Sequence, residues 1–197
     1  MGKHAFMSAS QSSWLNYSED NLLSNYFNQH TTTIGTLCHE LAAKLISFGI
    51  KLKKQDVGIL TFYLLDNRIP KKSIDIQNIW PNFMTYVNDA IGFKLSPEIL
   101  LYFSDNCFGT ADAISFRNNE LRIHDLKTGE TKIHIEQLLI YSALFCLEYK
   151  KQPEKIHIET RIYQSGKDIL IYEPDPEEIK IIMNKIIDYD NLIEMNR

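Results

Sequence analysis

The sequence contains few of the residues that mark several protein classes. Three of its 197 residues are cysteines, Cys38, Cys107 and Cys146, and they are widely spaced with no C-x-x-C pair. An odd number of scattered thiols suits a reduced protein better than a disulfide scaffold, and it provides no zinc or iron–sulfur motif. We therefore expect a cytoplasmic protein without a cysteine-based metal centre.

Long apolar runs and an excess of positive charge are also absent. The longest apolar stretch, around Leu138 to Leu147, has about half the length that a membrane-spanning helix needs. The opening MGKHAFMSAS contains no apolar segment of a secretory signal. The net charge is −4, so any nucleic-acid partner must be argued from a local site. No membrane partner is expected.

What is present is an ordinary globular composition, with 44% hydrophobic and 23% charged residues, in a length that suits one domain. Helical periodicity predicts helices at about 11–27, 35–48, 55–65 and 79–91, with Ser8 and Ser10 as candidate caps of the first. From Pro97 the pattern predicts strands at 98–103, 108–116 and 121–125, a helix at 133–149, a hairpin of 155–163 with 168–172, and a helix at 177–189. The expected fold class is α/β, a mostly antiparallel sheet flanked by helices after a helical N-terminal half.

The stretch FGTADAISFRNNELRIHDLK, residues 108–127, alternates like a hairpin. Asn118 and Asn119 tolerate the positive φ of a two-residue turn, and pairing of Arg117 with Glu120 around them fixes the register. The pairs that follow are Phe116 with Leu121, Ile114 with Ile123, and Asp112 with Asp125.

Asp112 and Asp125 then share one face of the sheet, with Cβ atoms about 4.5–5.5 Å apart. Two carboxylates this close repel each other, and one takes up a proton unless a divalent cation lies between them. Lys127 lies on the same face, where its ammonium group reaches a metal-bound water or a phosphate. The register therefore predicts a metal site, with solvated aspartates at a strand end as the alternative.

Two helices offer further polar side chains. Gln137 and Tyr141 are four residues apart, on one face of a helix that is apolar nearly all round. They suit either a site or ordinary local hydrogen bonds. In GTLCHELAAKL, His39 and Glu40 lie near a helix start. A neutral imidazole is a competent metal ligand, although a lone helical histidine is more often structural.

The segments G-T-x-x-H-E, G-T-A-D, H-D-L-K-T-G and Q-L-L-I-Y, in their order and spacing, closely resemble the PD-(D/E)xK nuclease superfamily. The similarity is greatest to its RecB-like branch, which includes CRISPR adaptation nucleases and many phage exonucleases. These segments span His39 to Tyr141, about half of the chain. The resemblance implies a restriction-endonuclease-like core over residues 1–197, with a helical part at 1–95, a sheet core with the active site at 96–173, and a C-terminal helix at 174–197.

The resemblance also implies roles for individual residues. The implied metal ligands are His39, Asp112, Asp125 and the backbone carbonyl of Leu126. Lys127 would be the catalytic lysine, and Gln137 and Tyr141 would complete the motif. Glu98 sits where relatives often carry a glutamate, but it is not among the expected ligands. Ala111 replaces the proline of the motif's name, and the cysteines that hold a [4Fe–4S] cluster in many relatives are missing, so no iron–sulfur cluster is expected.

The implied function is a Mg²⁺- or Mn²⁺-dependent deoxyribonuclease, expected to be an exonuclease in phage-type DNA recombination, repair or degradation. Its partners would be DNA and a recombinase or single-strand-binding protein, and a homo-oligomer is left open. If phage-encoded, it would act in the host cytoplasm. A structure-specific endonuclease and a non-catalytic DNA- or protein-binding module on the same scaffold stay open as alternatives. The basic residues that offer DNA contacts are Lys51, Lys53, Lys54, Lys71, Lys72, Arg117 and Lys132.

Overall fold

A computed structural model of the chain describes residues 16–28, 30–129 and 134–197. The candidate caps Ser8 and Ser10, and Lys132, lie outside the described residues. The helices and strands are, in chain order, α1 (Glu19–Asn28), α2 (His30–Ser47), α3 (Val57–Asp66), α4 (Ile76–Gly92), β1 (Ser96–Ser104), β2 (Cys107–Arg117), β3 (Glu120–Lys127), α5 (Glu136–Glu148), β4 (His157–Gln164), β5 (Leu170–Tyr172) and α6 (Pro176–Met195).

The five strands form one sheet in the order β1-β2-β3-β4-β5. Neighbouring strands are antiparallel except β3 and β4, which are parallel and are joined through α5. The chain therefore has the expected α/β fold class, with a mixed, mostly antiparallel sheet that follows a helical N-terminal part.

The predicted register of the β2–β3 hairpin is confirmed from its turn. Asn118 and Asn119 have φ angles of 51° and 60°, and Arg117 pairs with Glu120. The next predicted pairs are also present, Phe116 with Leu121 and Ile114 with Ile123. The two-residue turn thus sets the register, because asparagine adopts the left-handed conformation that the turn demands.

Helices cover both faces of the sheet. On one face, α2, α3 and α4 bury a core that includes Leu126 and Tyr163. On the other face, α5 and α6 bury a second core with Leu121 and Ile123. Successive strand residues alternate between the two cores, so the end of β3 lies between both layers of helices.

The first two helices begin at other residues than the sequence predicted. The predicted start of the first helix near residue 11 lies outside the described residues; within them, α1 begins at Glu19, after two residues that are not helical. Ser18 caps the start of α1. Its Oγ accepts a hydrogen bond from the Asn21 amide at 3.2 Å, as the side chain of an N-cap residue does. Helix α2 begins at His30 and not at residue 35, since threonines disfavour a helix only weakly. Among the described residues, no helix has both the length and the apolar character to cross a bilayer.

Candidate metal centre

Strands β2 and β3 part at Asp112. Their ladder of paired residues runs from the turn to Ala113 and His124, one position before the two aspartates. Beyond this pair, the amide N–H of Leu126 donates to a side chain instead of a backbone carbonyl: its acceptor is Asp112 Oδ2, at 3.0 Å. The predicted register is confirmed up to this point, and the two acidic residues lie where the strands separate.

Strand β1 brings Glu98 to the same place. Pro97 pairs with Ala113 and Ile99 pairs with Ala111, so Glu98 lies level with Asp112. Glu98 has a φ angle of 53° inside a strand, in the left-handed region that a residue with a Cβ rarely adopts. Such a conformation costs about 1–3 kcal/mol and is typical of functional sites.

Helix α2 supplies the histidine through a close approach at Gly35. A Cβ on Gly35 would lie 3.2 Å from Thr128 Oγ1, so the glycine lets the helix approach the end of β3. His39 lies one turn later on the same helix face. Its Nδ1 is 3.3 Å from Asp112 Oδ2. One ligand atom each from His39, Glu98 and Asp112 lie within 4.8 Å of one another.

Lys127 is held between a strand and helix α5. Its Nζ donates to Asp125 Oδ1 at 2.9 Å and to Gln137 Oε1 at 3.1 Å. Gln137 Nε2 in turn donates to the hydroxyl oxygen of Tyr141 at 3.2 Å. The four side chains therefore form one hydrogen-bonded row, and the row fixes the position of the ammonium group.

Burial and the charges of neighbouring carboxylates shift pKa values in this site. Burial raises the pKa of Asp112 to about 6; the nearby His39 lowers it and the charge of Asp125 raises it. Burial, followed by the charges of Asp112, Asp125 and Glu98, raises the pKa of the buried Tyr86 phenol. The charges of all three carboxylates therefore act on one buried phenol.

One oxygen of Asp125 is left without a partner. Asp125 is 2% exposed, and its Oδ2 is buried with no hydrogen-bond partner among the described residues. A buried carboxylate oxygen without a donor is costly unless a cation compensates it. The atoms that could bind a metal here are carboxylate oxygens and one imidazole nitrogen. This set of ligands suits Mg²⁺ and, with the histidine, Mn²⁺. The residues present therefore fit a divalent cation.

The structure brings His39 and Asp112 together in one cluster with Glu98, and it joins Asp125, Lys127, Gln137 and Tyr141 in one hydrogen-bonded row. Asp125 is not in the cluster of His39, Glu98 and Asp112, so its role as a metal ligand stays a prediction. Leu126 contributes its amide to Asp112, and the role of its carbonyl as a ligand stays a prediction. Glu98 was not among the ligands expected from the sequence. The sequence showed only that it lies at the start of a strand, whereas the structure gives it a positive φ.

Comparison with known proteins gives one family. A family model described as a protein of unknown function (DUF2800) matches residues 4–151, which is 148 of the 197 residues. The matched segment includes every residue of the candidate centre and of the row that holds Lys127. A search of the curated proteins finds no match.

Proposed function

We propose that this chain, which belongs to the DUF2800 family of proteins of unknown function, is a Mg²⁺- or Mn²⁺-dependent deoxyribonuclease. The observation that carries the proposal is the position of Lys127, whose ammonium group bonds to both Asp125 and Gln137 beside a set of ligands that fits a divalent cation. Hydrolysis of a phosphodiester needs positive charge close to the phosphate oxygens and a positioned group near the attacking water. The site offers both.

The metal would be held by His39, Glu98, Asp112 and Asp125, together with the Leu126 carbonyl if that prediction holds. A bound Mg²⁺ or Mn²⁺ ion would supply Lewis-acid chemistry, by polarising the scissile phosphate and lowering the pKa of a water. Such a cation would keep Asp112 ionised at a lower pH than the metal-free site allows, because burial favours the protonated form.

Lys127 would orient the attacking water and offset the negative charge that develops on the phosphate. Asp125 and Gln137 keep its ammonium group in place, and Tyr141 holds the Gln137 amide. Gln137 accepts from Lys127 through its oxygen and donates to Tyr141 through its nitrogen, so the bond to Tyr141 fixes which end of the amide faces the lysine. The row therefore positions Lys127, and Lys127 is the residue that meets the substrate.

The finer proposal is an exonuclease that processes DNA ends in phage-type recombination, repair or degradation. It is supported by the resemblance of the four sequence segments to RecB-like nucleases, together with the side-chain arrangement above. A recombinase or single-strand-binding partner and assembly of several copies belong to the same proposal.

The test is a time course with Mn²⁺ on three DNA substrates: linear DNA labelled at the 5′ end, linear DNA labelled at the 3′ end, and a closed circle. We expect loss of label from linear DNA, an intact circle, and no reaction in EDTA. Cleavage of the circle would favour the endonuclease alternative. If the wild-type protein did not bind Mn²⁺ in calorimetry and did not cut any substrate, the non-catalytic module would be the better assignment.

A further inference from the structure

A second polar cleft adjoins the candidate metal centre at the ends of β3 and β4. Because these strands are parallel, their carboxyl ends meet at one edge of the sheet, the edge at which α/β proteins bind ligands. The Ser165 amide donates to the Lys127 carbonyl at 2.9 Å, so this edge begins at the lysine of the site. The cleft has a volume of about 200 Å³ and its polar wall is formed by Ser73, Asp75, Asn78, Thr128, Gly129 and Ser165.

Two hydroxyl groups in this wall lack partners. Ser165 is 6% exposed, and the Oγ atoms of Ser165 and Ser73 are buried with no hydrogen-bond partner among the described residues. A buried hydroxyl without a partner costs free energy, so native proteins rarely keep one unless something else binds to it. Ile34 and Ile79 complete the wall with apolar surface. The cleft thus offers both hydrogen bonds and apolar contact to a ligand.

A second polar cavity of about 410 Å³ shares Asn78 with the wall of the cleft. The other residues that line it are Gln77, Pro81, Asn82, Gly166, Lys167 and Asp168. Asn82 fixes its rim by donating to the Lys167 carbonyl at 2.8 Å. We call the two cavities together the strand groove. It runs from the end of β3 along the start of α4.

Positive charge lies along the strand groove. Lys167 is exposed in the wall of the second cavity. Lys71 and Lys72 are exposed in the short 3-10 helix that ends at Ser73. Asp75 and Asp168 also lie in the walls of the strand groove, so this region carries three ammonium groups and two carboxylates. The Asp75 carboxylate accepts from the Asn78 backbone amide at 3.4 Å and from the Asn78 side-chain amide at 2.7 Å, which holds it at the start of α4. Phosphates on either side of a bound nucleotide would therefore meet ammonium groups.

We propose that the strand groove binds one unpaired strand of the nucleic acid next to the bond that is cut. The inference rests on the proposed function and names its substrate, a single strand or a frayed end. A nucleotide's sugar or base occupies the smaller cavity, and its flanking phosphates lie against Lys167, Lys71 and Lys72. A cavity of about 200 Å³ is smaller than the roughly 300–1,000 Å³ of sites for drug-sized ligands, so it admits the sugar or base of one nucleotide and not a stacked pair.

Three variants test the groove against one matched control. The groove variants are Lys167→Glu, the double variant Lys71→Glu with Lys72→Glu, and Ser165→Ala. The control is Lys155→Glu, an equal change of charge at an exposed residue just before β4. Strand β4 begins at His157, which pairs with Glu120, and ends at Gln164, which pairs with Lys127, so Lys155 precedes the end of β4 that lies about 23 Å along the strand from the groove.

Two measurements are made on each protein. The first is the Kd for a fluorescein-labelled 12-nucleotide single strand and for a blunt 12-base-pair duplex, with Ca²⁺ in place of Mg²⁺ to prevent cutting. The second is Mn²⁺-dependent hydrolysis of bis(p-nitrophenyl) phosphate, which is too small to reach the groove from the metal centre. The first measurement reports binding in the groove, and the second reports hydrolysis at the metal centre.

We expect each charge reversal in the groove to weaken single-strand binding roughly fivefold or more and to lower its salt dependence, as loss of a phosphate contact does. Lys155→Glu should change single-strand binding less than about twofold. Ser165→Ala should weaken binding while raising the Tm of the free protein, because it removes an unsatisfied buried hydroxyl. A merely structural serine would lower Tm on substitution. Hydrolysis of bis(p-nitrophenyl) phosphate should be retained in all four variants.

Other results separate this inference from the proposed function. If the groove variants bind the single strand as the wild type does, or if the duplex binds as tightly and is weakened equally, the groove assignment is wrong. The same holds if the wild type binds no single strand at all. If the wild type binds the strand through the groove but hydrolyses neither DNA nor bis(p-nitrophenyl) phosphate, the groove stands and the nuclease does not.

Discussion

Strand β2 and helix α5 meet at Gly109, where a Cβ atom would lie 2.9 Å from Cε1 of Tyr141. Side-chain carbons do not approach each other this closely, so any larger residue at position 109 displaces the Tyr141 ring. Tyr141 accepts a hydrogen bond from Gln137, which in turn accepts one from Lys127. A glycine in one strand therefore controls where the ammonium group of the site lies.

Gly109→Ala should lower the rate of DNA hydrolysis by about 10- to 100-fold, the loss expected when a catalytic group shifts by about 1 Å. Mn²⁺ affinity should not change, because neither Gly109 nor Tyr141 is a ligand. The matched control is Gly58→Ala in α3, where an added Cβ meets no atom within 4 Å. That variant should keep full activity and gain up to about 1 kcal/mol of stability. Unchanged turnover in Gly109→Ala would mean that Tyr141 does not position the lysine.

Lys127→Ala should reduce the rate of DNA hydrolysis at least about 100-fold, the usual contribution of a positioned proton-transfer or charge-stabilising group. Its Mn²⁺ affinity should not fall. Removing the ammonium group takes a donor away from Asp125 Oδ1 and leaves more negative charge for the cation. Lys155→Ala, at an exposed position, serves as the control and is purified in parallel. Activity that survives in Lys127→Ala but not in EDTA would contradict the role given to the lysine.

Glu98→Gln should weaken Mn²⁺ binding in calorimetry by roughly tenfold or more, since groups that only support metal ligands already contribute 10- to 100-fold. The reason is geometric: the Glu98 carboxylate lies with His39 and Asp112 inside 4.8 Å. Glu173→Gln, at an exposed position, should leave Mn²⁺ binding unchanged. If Glu98→Gln bound Mn²⁺ as the wild type does, the ligand set would return to the one that the sequence indicated, without the glutamate.

The part of the site that the sequence could predict is the part set by local rules. Asn118 and Asn119 determine the turn, the turn determines the register, and the register carries Asp112 and Asp125 to the same end of the hairpin. Gln137 and Tyr141 follow from helical spacing alone. In each case the residues involved are close in the chain, so a pattern of period two or four contains the information.

The remainder depends on contacts between distant residues. Gly35 meets Thr128, 93 positions later, and that contact brings His39 to the strands. Glu98 joins the centre through a left-handed backbone that no periodicity reports. The strand groove combines Ser73 with Ser165 from two segments that look like ordinary loops. Propensity and alternation describe neighbours along the chain, whereas these residues become neighbours only when the two layers of helices close on the sheet.

Acidity should act on the metal-free protein through Asp112. Burial raises its pKa from 3.8 to about 6, so the folded state holds this proton more tightly than the unfolded state does. Its contribution to stability is then full below about pH 4 and is lost as the pH rises through about 6. The pKa difference corresponds to a loss on the order of 3 kcal/mol. Asp112→Asn cannot titrate but keeps an oxygen that accepts from the Leu126 amide.

The measurement is urea unfolding in EDTA at pH 4, 5, 6 and 7 for the wild type and for Asp112→Asn, compared at each pH. The comparison is needed because burial, and then the charges of Arg161 and Arg122, lower the pKa of His124 to about 3. A depressed histidine makes the fold less stable as the pH falls below about 6.5, which opposes the effect of Asp112 in the same range. Both proteins keep His124, so it cancels in their difference.

The wild type should lose stability relative to Asp112→Asn between pH 4 and pH 7, and Mn²⁺ should reverse that loss. Protons and the cation compete for the same carboxylate, so stabilisation of the wild type by Mn²⁺ grows as the pH rises. Asp112→Asn should show little stabilisation by Mn²⁺ at any pH. A difference between the two proteins that stayed flat with pH would mean that Asp112 is ionised throughout without a metal. A cation would then not be needed to keep this partly buried carboxylate ionised.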